Sequence, residues 1–162
     1  MSNRYIRDVV IPAALHMLPG SMDSPEARAM LLAIGLQESK LTYRRQVGGP
    51  AHGFWQFEQG GGVVGVLTHA ATKGILGGVL ADMNQPATSS GCYDAIVDND
   101  ILACVFARLL LFTLPDKLPA NTQPDEGWRQ YVAAWRPGAP RPETWADNFN
   151  AAWNLIQGTT IA

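Results

Sequence analysis

Charge is scarce in this chain: Asp, Glu, Lys and Arg make up 16% of 162 residues, against 47% apolar ones. Disorder needs the opposite balance, so composition points to a folded protein with much buried surface. The net charge of −2 lacks the bulk electrostatic footprint of a nucleic-acid binder, and no such partner is expected. Only two cysteines occur, Cys92 in a turn-like stretch and Cys104 in an apolar run. They show no metal spacing and stand either as buried thiols or as one disulfide. His16, His52 and His69 are scattered, and no His-Glu-x-x-His or Gly-x-Ser-x-Gly segment occurs. That leaves neither a zinc hydrolase nor a serine-triad reading a foothold, and no metal or cofactor is expected. The longest apolar run, residues 101–114, is too short to span a bilayer and carries Arg108. The first ten residues, MSNRYIRDVV, hold no signal-type apolar core. The expectation is one domain over residues 1–162, made soluble in the cytoplasm without a signal peptide and without membrane insertion.

What is present is helical periodicity. Residues 4–18 suit a helix that Pro12 kinks or restarts and Pro19-Gly20 ends. A second helix is expected from Ser24 to Leu41, with Ser24 as N-cap and Pro25 in the first helical position. Residues 63–71 continue as a helix, residues 84–92 read as a polar loop, and Asp98 or Asp100 caps the next helix. That helix, Ile101 to Leu114, is apolar nearly all round, which suits the centre of an all-α domain. Helices from about Pro124 to Trp135 and from Pro142 to Gln157 close the chain, the last with Trp145, Phe149, Ala152, Trp153 and Ile156 on one face. At most, short extended strands are expected near residues 53–58.

The second helix carries the anomaly. Ala27, Met30, Leu31, Ile34 and Leu41 form one apolar stripe, and Glu38 falls in the middle of it. An ionised carboxylate costs several kcal/mol to bury without partners, and the usual relief is a raised pKa. A carboxyl that holds its proton near neutrality is what general acid catalysis requires. The bland counterpart is a core Glu paired to an Arg or capping a loop. A glycine-rich turn (Gly48, Gly49, Gly53) then leads into Phe54-Trp55-Gln56-Phe57, able to fold back over the helix end. Gln56 offers both a donor and an acceptor, suited to an N-acetyl group or a sugar hydroxyl. The triple glycine at 60–62 is not followed by Gly-Lys-Ser/Thr, so it reads as a turn or a place of close backbone approach, not a phosphate cradle.

Glu38-Ser39 at the end of an apolar helix, with Gly53-Phe54-Trp55-Gln56 ending eighteen residues after the Glu, resembles the Glu-Ser and Gly-Leu-Met-Gln motifs of soluble lytic transglycosylases. These belong to the lysozyme-like superfamily. A third segment, YVAAWRPG, is similar to that family's Ala-Tyr-Asn-Ala-Gly-Pro-Gly motif, with Trp135 at the Tyr, Arg136 at the Asn and Gly138 matching. The three together span about residues 30–145. The resemblance implies an all-α, lysozyme-like helical domain with a central buried helix. It also implies cleavage of peptidoglycan between N-acetylmuramic acid and N-acetylglucosamine. Glu38 would be the catalytic acid/base, and Ser39, Phe54, Trp55, Gln56, Trp135 and Arg136 the substrate-binding residues. Trp135 departs from the family in one respect: the family's Tyr sets a hydroxyl beside the acid, and an indole N–H can only donate.

Glycoside hydrolysis ordinarily uses two carboxylates. A lytic transglycosylase uses one, which protonates the leaving oxygen and then accepts the proton of the muramic acid 6-hydroxyl as the 1,6-anhydro ring closes. Glu58, twenty residues after Glu38, is the possible second carboxylate and keeps a hydrolytic muramidase open as the alternative. A non-catalytic glycan-binding or virion structural protein is the alternative of another class. The partners implied are peptidoglycan strands and, as for phage wall-lysing enzymes, a phage particle or a holin-dependent route from host cytoplasm to the wall in the periplasm.

Overall fold

Helix α3, Pro25–Ser39, shows why this sequence folds as it does locally. Ser24 is extended and its Oγ accepts from the Ala27 amide at 3.1 Å, one of the four amides a helix start leaves unpaired. Pro25 follows at the first helical position, and Lys40 ends the helix in the left-handed conformation at φ 56°. Ala29, Met30, Leu31, Leu32, Ala33 and Ile34 are all fully buried. Each of the larger side chains contributes roughly 1.5–3 kcal/mol by leaving water. From Ala29 to Gly35 this helix is therefore core on every side.

In the computed structural model, which describes residues 3–158, the elements run in this order. Helix α1 (Asn3–Tyr5) passes through a π turn (Ile6–Val10) into α2 (Ile11–His16). A 3₁₀ turn (Gly20–Met22) leads to α3, and a long connection reaches a second π turn (Gln59–Val63) that opens α4 (Val64–Thr68). Then come α5 (Lys73–Asp82), α6 (Ser89–Asp98), α7 (Asp100–Phe112), α8 (Pro124–Trp135) and α9 (Pro142–Ile156). The ends of the expected 1–162 domain, residues 1–2 and 159–162, lie outside the described residues.

The protein is all-α among the described residues, and α7 lies at its centre with residues 102–111 buried throughout. Its one charged interior side chain, Arg108, donates from Nε to the Met22 carbonyl at 2.9 Å, so the buried guanidinium has a partner. Buried side chains from Ile6 to Trp153 belong to one cluster. No single helix among the described residues is long and apolar enough to cross a membrane. Cys92 and Cys104 are both buried and both free, and burial pushes both thiols up.

Several expectations are corrected in detail. Pro12 stands in the first turn of α2, which restarts the helix as expected; the π turn just before it takes up its missing amide, with the Ile11 N–H bonding the Ile6 carbonyl five residues back. The stretch 84–92 is only half a loop, because Thr88 caps α6 by accepting from the Gly91 amide. Neither Asp98 nor Asp100 caps α7. Asn99 does, accepting from Leu102 N at 2.9 Å. Near residues 53–58 the chain makes isolated bridges of His52 with Arg45 and with Phe57, without a strand.

Candidate active site

The last turn of α3 is where the core opens. Glu38 is half-buried there and lines a cleft of about 920 Å³. The cleft is lined by Gln37 and Glu38 of α3, Gln56 to Glu58 of the aromatic turn, Gly60 to Gly62, Val64 and Gly65 of α4, and His69 just after it. Leu110 of α7 and Leu114 just past it, Tyr131 and Trp135 of α8, Arg136 to Ala139 and Arg141 complete it.

Glu38 has one direct polar partner among the described residues: the Tyr131 hydroxyl donates to its Oε1 at 2.6 Å. Burial raises the Glu38 carboxyl above its ordinary value of 4.5, and this outweighs two opposing influences. Those are the Tyr131 hydrogen bond and the positive charge of Arg141, both of which favour the carboxylate. Tyr131 is itself driven well above its usual range, by burial first and then by the Glu38 charge, so it remains a phenol and a donor. The arrangement can store a proton on Glu38 and stabilise the carboxylate left after the proton departs.

Tyr131 was not among the residues expected at the site. The sequence match set Trp135 in the place of a tyrosine, whereas the oxygen arrives from four residues earlier, one helical turn back on the same face of α8. The legible signal was that i, i+4 relation. Tyr131 is held by stacking on Trp145 of α9, ring centres 5.2 Å apart and planes within 8°. Close packing of α8 on α9 at Gly127 allows this, since a Cβ there would stand 2.8 Å from the Phe149 ring.

The expected substrate-binding residues separate into two sets. Phe54 and Trp55 are fully buried, so neither can form a platform for a sugar; that expectation is corrected. Trp55 instead donates to the Leu31 carbonyl at 2.8 Å, and Arg44 lies over the Phe54 ring at 4.6 Å. Ser39 is buried too and donates to the Phe54 carbonyl at 2.7 Å, tying the helix end to the turn instead of meeting substrate. Trp135 lines the cleft with its ring, but its indole N–H is taken by the Trp55 carbonyl at 2.8 Å. These four side chains thus build the turn that carries Gln56.

Gln56, Glu58 and Arg136 do line the cleft with Glu38. Gln56 stands in the left-handed region at φ 52°, and its amide nitrogen faces the carbonyls of Gly53 at 2.8 Å and Tyr43 at 3.4 Å. With the amide hydrogens so engaged, the carbonyl oxygen remains, and Gln56 offers a ligand an acceptor more readily than a donor. Glu58 is exposed on the cleft wall. His69 lines the cleft as well; the Ala71 amide donates to its Nδ1, which places the proton of the neutral ring on Nε2. His52 is buried away from the cleft, stacked on Tyr93.

Gln37, next to Glu38, anchors the opposite wall. Its side chain donates to the Arg141 carbonyl at 3.0 Å and accepts from Thr144 at 3.0 Å and Asn148 at 2.8 Å. Its own carbonyl accepts from the Arg141 guanidinium at 2.6 Å. These bonds fasten the start of α9 to the end of α3 and hold the positive charge of Arg141 near the carboxyl.

No protein-family model matches the chain, and neither a curated protein nor a solved structure matches it.

Proposed function

We propose that this protein cleaves the glycan strands of peptidoglycan between N-acetylmuramic acid and N-acetylglucosamine, with Glu38 as the single general acid/base, in a domain of the lysozyme-like, lytic transglycosylase type. The observation that carries the reading is Glu38 itself: a carboxyl with its pKa raised by burial, held by a phenol, lining a cleft of about 920 Å³. In this reading Glu38 protonates the glycosidic oxygen of the leaving sugar. The resulting carboxylate is stabilised by the Tyr131 hydrogen bond and the Arg141 charge, then takes the proton of the muramic acid 6-hydroxyl as that oxygen attacks C1. The ring closes as a 1,6-anhydro sugar and no water enters. Gln56 contributes an acceptor for the sugar's amide or hydroxyl hydrogen. By its sequence resemblance to phage wall-lysing enzymes, the proposed route to the wall is from a host cytoplasm through a holin-dependent path or within a particle.

Hydrolysis is the second reading, favoured by one observation: Glu58 lines the same cleft as Glu38. Mass spectrometry of muropeptides released from purified peptidoglycan separates the two. Transglycosylation gives 1,6-anhydro ends about 18 mass units lighter than hydrolysed ends, because no water is added. Reducing muramic acid as the main product, with Glu58→Gln inactive, makes the protein a muramidase. A wall suspension whose turbidity does not change with added protein makes it a non-catalytic glycan-binding or virion structural protein.

A further inference from the structure

We propose that His52 is the positioning residue for one wall of the cleft: from behind that wall its ring fixes the turn that carries Gln56, and so sets how tightly a glycan is held. The nature of the ligand rests on the cleavage reading above; the linkage from His52 to Gln56 rests on the geometry of the turn.

A buried polar side chain costs stability unless its polar atoms are paired, and a phenylalanine would fill the same space without that cost. The His52 ring lies flat on Tyr93 of α6, ring centres 3.7 Å apart and planes within 13°. Stacking alone leaves a ring free to turn in its own plane, and the two nitrogens remove that freedom. Nδ1 meets the Tyr93 carbonyl at 2.9 Å, and Nε2 meets Arg45 Nη1 at 3.2 Å. A carbonyl can only accept and a guanidinium can only donate, so Nδ1 carries the proton and Nε2 the lone pair. Only a neutral imidazole supplies a ring donor and a ring acceptor together.

The backbone of the same residue closes the base of the turn. His52 N donates to the Phe57 carbonyl at 2.9 Å, and Phe57 N donates to the His52 carbonyl at 2.8 Å. Inside that closure the Gln56 amide donates to the Gly53 carbonyl at 3.0 Å, and the Gln56 side-chain nitrogen donates to the same oxygen at 2.8 Å. Gln56 thereby holds its left-handed φ of 52°, which a residue other than glycine keeps only where its surroundings impose it. The turn also rests on α6 at Gly53, where a Cβ would stand 2.6 Å from Ile96 Cγ2. Tyr93 and Ile96 are three residues apart and neighbours on the surface of α6, so ring and turn share one support. On the other flank Gln46 follows Arg45, and its amide donates to the Ala51 carbonyl at 2.9 Å. Gln46, Ala51 and Gln56 all line the cleft, while the His52 ring stands behind them.

The test is a double-mutant cycle, read by calorimetry as the binding of soluble peptidoglycan glycan strands to the Glu38→Gln protein, where turnover is removed. His52→Phe keeps the stacking ring and removes both nitrogens. It is expected to weaken binding about 3–10-fold, as loss of a neutral hydrogen bond at Gln56 does. Gln56→Gly, which tolerates the left-handed backbone, should weaken binding to a similar extent. In that background His52→Phe should cost less than about twofold more, because a residue that acts through Gln56 has nothing left to act on. Hydrogen exchange of the Gln56 and Phe57 amides should rise in His52→Phe while that of the α3 amides stays as it was. Arg45→Met, a change at an exposed side chain, removes only the partner of Nε2 and decides the matter if His52→Phe does not fold. It is expected to weaken binding in the same direction and to lose its effect on Gln56→Gly. Additive losses, unchanged affinity in a folded His52→Phe protein, or no strand binding at all overturns the proposal. Release of glycan fragments by protein with Glu38 intact is scored separately. Coupled binding losses without fragment release remove the cleavage reading and leave His52 in its role. Fragment release with additive losses does the reverse.

Discussion

At the scale of single residues, the proposed chemistry turns on the proton of Glu38. Its folded pKa lies above the ordinary carboxyl value because burial disfavours the charge. The folded protein then binds that proton more tightly than the unfolded chain does. The stability linked to Glu38 is fully present below the unfolded pKa and is lost as pH rises through the raised folded one. Glu38→Gln cannot lose it and still offers Tyr131 an acceptor. The melting temperature of the variant relative to wild type should therefore climb as pH rises above the ordinary carboxyl value of 4.5, measured by calorimetry. A difference independent of pH would mean that burial does not perturb this carboxyl. Tyr131→Phe acts in the other direction on the site. Removing the phenol takes away a bond that favours the carboxylate. Activity on peptidoglycan is expected to fall by about 10–100-fold, the worth of a hydrogen bond to a charged group. The alkaline limb of the pH–activity profile should also move to higher pH. An unchanged profile would show that Tyr131 packs beside Glu38 without influencing it.

At the scale of elements, the glycines of the cleft wall and those of α5 make a natural contrast. A Cβ added at Gly65 in α4 meets nothing within 4 Å, and the same holds at Gly78 in α5. Neither glycine has a positive φ, so nothing inside the protein demands either one. Only Gly65 lines the cleft. Glycine in a helix is less stable than alanine by roughly 0.5–1 kcal/mol. Gly65→Ala and Gly78→Ala should both raise the melting temperature. Gly65→Ala alone should raise KM for the polymer, because its methyl group stands where a bound chain would lie. Equal activity of the two variants would mean that ligand does not reach this wall. The long helices were legible because their signals are local: the Ser24 cap, the Pro25 start, the apolar face of α9, the all-apolar α7. Helix α6 was not, since Ser-Ser-Gly reads as loop chemistry until Thr88 is seen to cap it. Of the residues expected at the site, Glu38, Gln56, Glu58, Trp135 and Arg136 line one cleft. The site was misread at Phe54, Trp55 and Ser39, because an aromatic turn folded over a helix end buries its rings instead of presenting them. Nothing in a linear motif says which face of such a turn is inward. Tyr131 was missed because a motif comparison fixes one position, whereas a helix offers the cleft two residues one turn apart.

At the scale of the whole molecule, the apolar bulk of the chain serves to place one carboxyl. The buried α7 packs under α3, α9 fastens to the end of α3 through Gln37, and α8 leans on α9 so that Tyr131 meets Glu38. In the proposed reaction this carboxyl does the chemistry. The measurement that tests it most directly is the rate at which soluble glycan fragments leave purified peptidoglycan, wild type against Glu38→Gln at equal concentration and equal far-ultraviolet circular dichroism. General acid catalysis by a positioned group is worth about 10²–10⁴-fold. The account predicts a loss of at least that size in a variant that remains folded. A Glu38→Gln protein that still releases fragments within about tenfold of wild type would make Glu38 a structural carboxyl and contradict the account.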